Sequence, residues 1–381
     1  MSVLEIDVDT KIAPCYRVHI DTNLLERIGP AVRQAAPAPV CGLVTDRHVA
    51  RYYLRGVRQS LAQAGYRVAE FIFPPGERYK KLATVAQAYD ALLAARLERT
   101  SPILALGGGV VGDLAGFVAA TLLRGLPLIQ IPTTLLAAVD SSVGGKVGVD
   151  HARGKNLIGA FHQPRAVFAD VAVLASLPQV ELQCGLAECV KHAVIRDQAL
   201  FEFIADHLPA ILRRDPPTLL ELIARNVRIK AAVVTEDPFE QGVRALLNFG
   251  HTFGHALETV GGYGELRHGQ AVALGMVAAA RLAVSRRLFP AADAGRLQIL
   301  LKRIGLPICQ RRLDISAVLA AMQTDKKIHR GALRFILPVA LGRAEIFADV
   351  TAAEIRAALA TLDCAKDPRP SLRTRKNRVY R

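Results

Sequence analysis

The sequence has no Trp, only three Met and an aromatic content of 6%. Its six cysteines, Cys15, Cys41, Cys184, Cys189, Cys309 and Cys364, never form a CxxC pair. That scatter speaks against a disulfide framework and against a cysteine-ligated structural zinc site, and it predicts buried free thiols. The N-terminal residues lack a basic stretch followed by an apolar one, so no secretory signal is expected. The longest apolar runs, such as Ala271 to Ala280, fall short of the roughly 20 residues that a spanning helix needs. There is no internal repeat. These absences predict a cytoplasmic protein without a membrane partner.

What is present is a chain of 381 residues, 51% of them hydrophobic, which is more than one core usually serves and predicts two domains. The formal charge of +15 raises the question of a nucleic-acid partner, but its distribution matters more than its sum. In Lys366 to Arg381, seven Lys or Arg face a single Asp beside Pro368 and Pro370, and no apolar period runs through them. This reads as a disordered basic tail, 365–381, and no specific nucleic-acid partner is expected. The rest of the chain remains basic, which suits a doubly anionic small substrate.

Short β-rich runs, Cys41-Gly-Leu-Val-Thr, Arg67-Val-Ala-Glu-Phe-Ile-Phe, Ile103-Leu-Ala-Leu and Leu128-Ile-Gln-Ile, alternate with helix-like stretches from Val49 to Ala64 and from Leu82 to Leu97. Such alternation predicts an α/β domain with a largely parallel sheet, 1–177. Beyond Leu177-Pro178 long amphipathic segments take over: Glu181 to Ile195, Leu219 to Val234 and Arg244 to Glu258. They predict a mainly helical domain, 178–364, with one late hairpin pairing Leu333 to Ala340 with Ala344 to Phe347.

The densest signal follows the third β-rich run, where Gly107, Gly108, Gly109 and Gly112 lead into a helix. Glycines there let the backbone approach a pyrophosphate whose charge the helix N-terminal amides stabilise. The spacing satisfies GxGxxG, which alone is a weak signal, and a ligand-free glycine turn competes with it. A dinucleotide site would place an acid about twenty residues on, to bind the ribose. Here the next strand ends near Gln130, so Asp46, after an earlier strand, is the better ribose candidate.

In the helical half His251 and His255 stand one helical turn apart, on one face. His268 follows the Gly261-Gly-Tyr-Gly loop, and Glu188 precedes Lys191 and His192. Two histidines and a carboxylate would give zinc three protein ligands and an open position. Cations recur beside glycine or small residues in predicted loops, at Lys146, Arg153, Lys155, Lys326 and Lys327, a pattern that fits anion recognition.

Assembled, these residues resemble the 3-dehydroquinate synthases of the sugar-phosphate cyclase family. The motifs that carry the resemblance run from Asp46 to Ala344: Pro75-Gly-Glu-Arg-Tyr-Lys, Gly107-Gly-Gly-Val-Val-Gly-Asp, Ile131-Pro-Thr-Thr through Gly-Gly-Lys146, Gly154-Lys-Asn-Leu-Ile-Gly-Ala-Phe, Gly185-Leu-Ala-Glu-Cys-Val-Lys-His, Leu247-Asn-Phe-Gly-His-Thr-Phe-Gly-His-Ala-Leu-Glu and Asp325-Lys-Lys. The resemblance implies a Rossmann-like α/β domain joined to a mainly α-helical one. It implies zinc, with cobalt as an alternative, held by Glu188, His251 and His268, with His255 facing substrate. NAD would contact Asp46, Glu77, Lys80, Gly108, Gly109, Val110, Asp113, Thr133, Thr134, Asp140, Lys146 and Lys155. Lys146, Lys155, Asn156, Asn248, His255 and Lys326 would surround the substrate, mostly near its phosphate. Lys191, Lys230 and Arg244 would meet hydroxyl and carboxylate oxygens, and Arg124 would reach a neighbouring subunit's site in a homodimer. The implied reaction converts 3-deoxy-arabino-heptulosonate 7-phosphate to 3-dehydroquinate and phosphate, through transient oxidation by NAD, elimination, reduction and aldol closure. Alternatives are a sister cyclase whose substrate lacks a carboxylate, or an NAD-dependent metal alcohol dehydrogenase. Three positions depart from the family pattern: Gln270 where Glu is usual, His48 where Asn is common and His192 where Tyr is common. The first is expected to bear on the orientation of His268.

Overall fold

The computed structural model describes residues 3–10, 14–261, 266–323, 328–329 and 332–364. Lys326 and the basic tail 365–381 lie outside the described residues, as does most of the Gly261-Gly-Tyr-Gly loop.

A seven-stranded sheet organises the first part. Its strands are β1 (Leu4–Val8), β2 (Tyr16–Asp21), β3 (Val40–Asp46), β4 (Arg67–Phe73), β5 (Ile103–Gly107), β6 (Leu128–Pro132) and β9 (Ala166–Asp170), with β7 (Lys146–His151) and β8 (Gly154–Phe161) forming a separate hairpin. The order across the sheet is β1-β2-β9-β6-β5-β3-β4, and all neighbours are parallel except β1 with β2. Every residue of β5, β6 and β9 is buried, as expected of parallel strands covered on both faces. The helices Leu82–Ala94 and Gly109–Thr121 cover one face. The other face shares one continuous apolar cluster with the helical part. The chain runs outward from β3 to β4, returns to β5 and then builds toward β6. The crevice beyond the carboxyl ends of β3 and β5 is therefore a switch point, where open α/β sheets bind ligands.

The four β-rich runs of the sequence fall within β3, β4, β5 and β6. Lys146, Lys155 and Asn156, expected in loops, stand instead on the β7–β8 hairpin. Its alternation is masked by glycine, Gly148 pairing directly with Gly159 at the crossing.

After β9 the chain becomes helical: Gln179–Arg196 packs against Gln198–Leu212, Pro216–Glu236 and His268–Ser285, and His251–Val260 packs against His268–Ser285. The continuous helix expected from Arg244 to Glu258 is broken. Val243–Asn248 forms a short 3-10 turn, Gly250 takes a left-handed φ of 79°, and a new helix starts at His251. Tertiary packing overrides the periodicity there. A Cβ at Gly275 would lie 1.9 Å from the Gly250 carbonyl oxygen, so the helices beginning at His251 and His268 cross backbone to backbone. The late hairpin forms between Phe335–Ala340 and Arg343–Phe347.

The thiol expectation needs correction. Cys309 and Cys364 are joined in a disulfide, with Cα atoms 5.5 Å apart, and Cys15 is exposed; only Cys41, Cys184 and Cys189 are buried free thiols. Backbone hydrogen bonds between Gln310 and the strip Leu362 to Cys364 bring the two cysteines together, a pairing across 55 residues that spacing alone does not reveal.

Candidate active site

One cleft of about 1580 Å³ lies between the sheet's carboxyl edge and the helical part. On the sheet side Asp46 ends β3 and caps the following turn, one carboxylate oxygen accepting from the His48 and Val49 amides. Gly108 caps the helix Gly109–Thr121, whose first amides face the cleft with no intrahelical partner. A Cβ at Gly108 would stand 3.0 Å from the Thr134 methyl, a tight contact that favours bare backbone at this turn. Glu77, Lys80, Val110, Asp113, Thr133 and Thr134 line the same stretch. Lys80 is almost fully buried, its Nζ 2.5 Å from both Asp113 Oδ2 and Asn156 Oδ1. Asn156 lines the cleft and also joins the hairpin to the cradle. This arrangement fits a dinucleotide: open amides at a helix start for a pyrophosphate, and an acid on the adjacent strand for a ribose.

The opposite wall carries the histidines. Glu188 is fully buried on Gln179–Arg196, just behind the cleft surface. Its Oε1 lies 3.7 Å from His251 Nε2 and 3.3 Å from His268 Nε2, and its Oε2 lies 2.5 Å from Lys191 Nζ. Lys191 already pairs with Oε2, whereas Oε1, which faces the two imidazoles, completes no well-aligned hydrogen bond among the described residues and is the oxygen a metal cation would take. His251 Nδ1 lies 3.1 Å from the Phe249 carbonyl, which only accepts, so Nδ1 carries a proton and Nε2 is the nitrogen turned toward Glu188 as a metal ligand would be. Gly269 brings His268 into range, since a Cβ there would overlap the Cys184 backbone at 2.4 Å.

Among the described residues, two trios have ligand atoms within 4.8 Å of one another: Glu188, His251 and His268, and His255, Glu258 and His268. The two nitrogens of His268 separate them. Nε2 faces Glu188, while Nδ1 lies 3.5 Å from Glu258 Oε1. With Nε2 committed to the first trio, Glu258 is the outer carboxylate that fixes the ring. Burial opposes charge on His268, yet these two carboxylates push its pKa up to about 9, a concentration of negative potential that equally draws a divalent cation. The first trio, with one hard oxygen and two imidazoles, fits zinc or cobalt.

The expectation for position 270 changes as a result. Gln270 Oε1 accepts from the Arg267 amide at 3.0 Å, closing the start of its helix, and Glu258 is what touches the His268 ring. Sequence reading missed Glu258 as a site residue, although its spacing of three from His255 and seven from His251 places it on their face. It also missed Glu240, whose loop gives no such signal.

Between these walls the lysines meet acids, and Arg244 meets backbone carbonyls. Asp140 pairs with Lys230 and lies 3.3 Å from Lys191. Burial argues against its charge, but Lys191, Lys230 and His192 hold its carboxyl well below the usual range. Burial, helped by Arg244 and Lys191, pushes Lys230 down to about 8 despite Asp140. Asp140, expected on the cofactor, thus turns its carboxylate to the lysines of the opposite wall. Lys146 pairs with Glu240, which also accepts from Asn248 Nδ2 at 2.8 Å, and Lys155 lies 3.8 Å from Glu258. Arg244, 1% exposed, donates to the Gly144 carbonyl at 2.8 Å and to that of Pro238. Except for buried Glu188, exposed Arg124 outside the cleft and Lys326 beyond the described residues, every expected site residue lines this one cleft.

A nucleotide cradle facing a Glu-His-His trio across a cation-lined cleft defines an NAD- and metal-binding class of two-part α/β and helical enzymes. Residues 70–184 match the family described as 3-dehydroquinate synthase N-terminal, and residues 185–328 match 3-dehydroquinate synthase C-terminal. The chain belongs to the 3-dehydroquinate synthase family. It is 46% identical to the 3-dehydroquinate synthase of Desulforamulus reducens over 94% of this chain and 99% of that one. It is also 46% identical to that of Nitrosospira multiformis over 94% and 98%. Among solved structures it is similar to 2-epi-5-epi-valiolone synthase from Streptomyces hygroscopicus with NAD+ and Zn2+ bound, with TM-score 0.85, 31% identity and 92% and 97% of the two chains covered. It is also similar to 2-deoxy-scyllo-inosose synthase complexed with carbaglucose-6-phosphate, NAD+ and Co2+, with TM-score 0.85, 28% identity and 93% and 99% covered.

Proposed function

We propose that the chain converts 3-deoxy-arabino-heptulosonate 7-phosphate to 3-dehydroquinate and inorganic phosphate, a lyase step of the shikimate pathway toward aromatic amino acids. The observation that carries this reading is the convergence, in one cleft, of the glycine cradle, the Glu188–His251–His268 trio and the cations Lys146, Lys155, Lys191, Lys230 and Arg244. When bound, NAD supplies hydride removal and return, and zinc or cobalt supplies polarisation of a substrate hydroxyl.

The chain's own residues divide the remaining work. Amides at Gly109 and Val110 hold the pyrophosphate, Asp46 takes a ribose hydroxyl, and Glu77, Lys80, Asp113, Thr133 and Thr134 fix the rest of the cofactor. Glu188, His251 and His268 hold the metal. Lys146, Asn156, Asn248, His255 and Lys326 bind near the phosphate, while Lys191, Lys230 and Arg244 meet hydroxyl and carboxylate oxygens. Holding both anionic ends of one substrate keeps the reacting carbons together through successive steps without releasing intermediates. Buried cations such as Lys230 and Arg244 suit a carboxylate-bearing substrate over a sugar phosphate without one. We further read the protein as a cytoplasmic homodimer. Arg124 is exposed and outside its own cleft, which leaves it available to a partner's site. Domains 1–177 and 178–364 would carry the cofactor and the metal, respectively.

The test is turnover of the heptulosonate phosphate with catalytic NAD and zinc, following phosphate and dehydroquinate together. Equal yields of the two without net NADH are expected. Stoichiometric NADH would overturn the reading in favour of an alcohol dehydrogenase. Faster cyclisation of a sugar phosphate lacking the carboxylate would favour a sister cyclase.

A further inference from the structure

We propose that Tyr16 is a positioning residue for the carboxylate end of the substrate: its phenol holds the amide of Gly144, whose own carbonyl aims the Arg244 guanidinium. This holds on the reading above, which gives Arg244 the substrate's carboxylate.

Arg244 is 1% exposed, yet it lines the cleft and meets no carboxylate within ion-pair distance among the described residues. Nη2 donates to the Gly144 carbonyl at 2.8 Å, Nη1 donates to the Pro238 carbonyl, and Nε has no partner among the described residues. Carbonyls orient a guanidinium without neutralising it, so its charge stays available to an incoming anion. An acid in their place would compete with the substrate.

The aim of the guanidinium is therefore only as firm as Gly144. No other residue fits there: φ is 96°, and a Cβ would stand 2.6 Å from Arg244 Nη2 and 2.7 Å from a Val234 methyl. Gly145 follows with φ of 65°, and two successive glycines leave the turn free to relax. Contacts from distant segments fix it. The Tyr16 hydroxyl oxygen, from the start of β2, accepts from the Gly144 amide at 3.0 Å across 128 residues, and the Gly145 carbonyl accepts from the His162 amide at 2.8 Å. Tyr16 is 2% exposed, and burial pushes its pKa up to about 12 against the opposing pull of the Gly144 amide and Arg244. Its oxygen thus stays a neutral acceptor that anchors the turn without forming an ion pair with the arginine.

Without the hydroxyl, the buried Gly144 amide loses its acceptor, the turn relaxes and the guanidinium loses its direction. The carboxylate is held alike in the ground state and the transition state, so the loss falls on substrate affinity and not on the chemical steps.

The test uses the full chain loaded with zinc and NAD, turning over the heptulosonate phosphate. Tyr16→Phe should raise the substrate KM about tenfold, the effect of one weakened charge-assisted hydrogen bond, with kcat nearly unchanged. The KM for NAD should not move. In an Arg244→Lys background, where the fork that Gly144 aims is gone, the same change should alter the substrate KM by less than about twofold. If Tyr16→Phe does not fold, a fluorinated tyrosine inserted at that position keeps the shape and weakens the oxygen as an acceptor. It should raise the substrate KM by a smaller factor. A lower melting temperature with unchanged substrate KM overturns the proposal, because a merely structural tyrosine predicts that result. An equal KM effect in both backgrounds also overturns it, as does a loss confined to kcat. Absence of turnover by the native protein overturns the functional reading instead.

Discussion

The Nδ1 atom of His268 lies 3.5 Å from Oε1 of Glu258, a carboxylate only 4% exposed. The contact fixes the ring so that Nε2 points at Glu188, and it makes the imidazole a stronger donor to a cation. Glu258→Gln keeps the shape and removes the charge. Metal affinity, measured by competition with a chromophoric chelator, should fall about 10–100-fold while the fold persists. Unchanged affinity would mean that His268 is oriented by something else and that the second trio has been misread.

The crossing of Gly250 and Gly275 is a second lever on the metal. A methyl at position 275 would lie 1.9 Å from the Gly250 carbonyl oxygen and 2.9 Å from the Gly254 amide nitrogen, and backbone does not yield as a side-chain tip does. Gly275→Ala should cost about 1–3 kcal/mol or more. Because the two helices begin at His251 and His268, metal affinity should fall in the same variant. A thermal melt together with the chelator titration reads both effects. A variant of native stability and native affinity would show that these helices can part without consequence.

The Cys309–Cys364 bridge closes a 55-residue separation that includes the helix Ile315–Gln323, which packs on the helix His251–Val260 that presents His251 to the cleft. Thiol titration of the unfolded, unreduced protein should find four free thiols, and six after reduction. On chain-entropy grounds, breaking the link by Cys364→Ser should cost up to about 4 kcal/mol, seen as a lower melting temperature under non-reducing conditions only. Six free thiols in the unreduced protein, or equal melting temperatures, would rule out the bridge.

Much of this site was legible before any coordinates, but unevenly. The strands around Val44, Ala105 and Ile129 announce themselves as continuous apolar runs because both of their faces are covered. Glu188, His251 and His268 could be gathered only through family motifs, since 80 residues separate Glu188 from His268 and no periodicity links them. The β7–β8 hairpin was hidden because Gly148 and Gly159 supply no side chains to alternate. The break at Gly250 was hidden because amphipathic spacing continues across it, while the cause lies in a different helix, at Gly275. Glu240 gave no local signal at all: its partners, Lys146 and Asn248, are brought to it only by the folded chain.

His192 offers a test in acid. It is fully buried, and its Nδ1 lies 3.1 Å from Asn226 Oδ1; the Asn226 amide nitrogen is committed to the Leu222 carbonyl at 2.7 Å, so the ring nitrogen must donate. Its Nε2 has no partner among the described residues. Burial, with Lys191 adding to it, pushes its pKa from 6.5 down to about 4. Between those values the unfolded chain binds more protons than the folded one, so stability rises with pH. The penalty is fully present below pH 4 and absent above pH 6.5, and it amounts to about 3 kcal/mol at 1.36 kcal/mol per unit. His192→Phe removes the titration but strands the Asn226 oxygen, at a cost of about 1–3 kcal/mol at every pH. The variant should therefore be less stable than the native protein at pH 7, and the gap should narrow at pH 4.5 as the native protein loses its advantage. Urea midpoints at the two pH values measure this, and parallel pH slopes for the two proteins would show that His192 takes up its proton without unfolding anything.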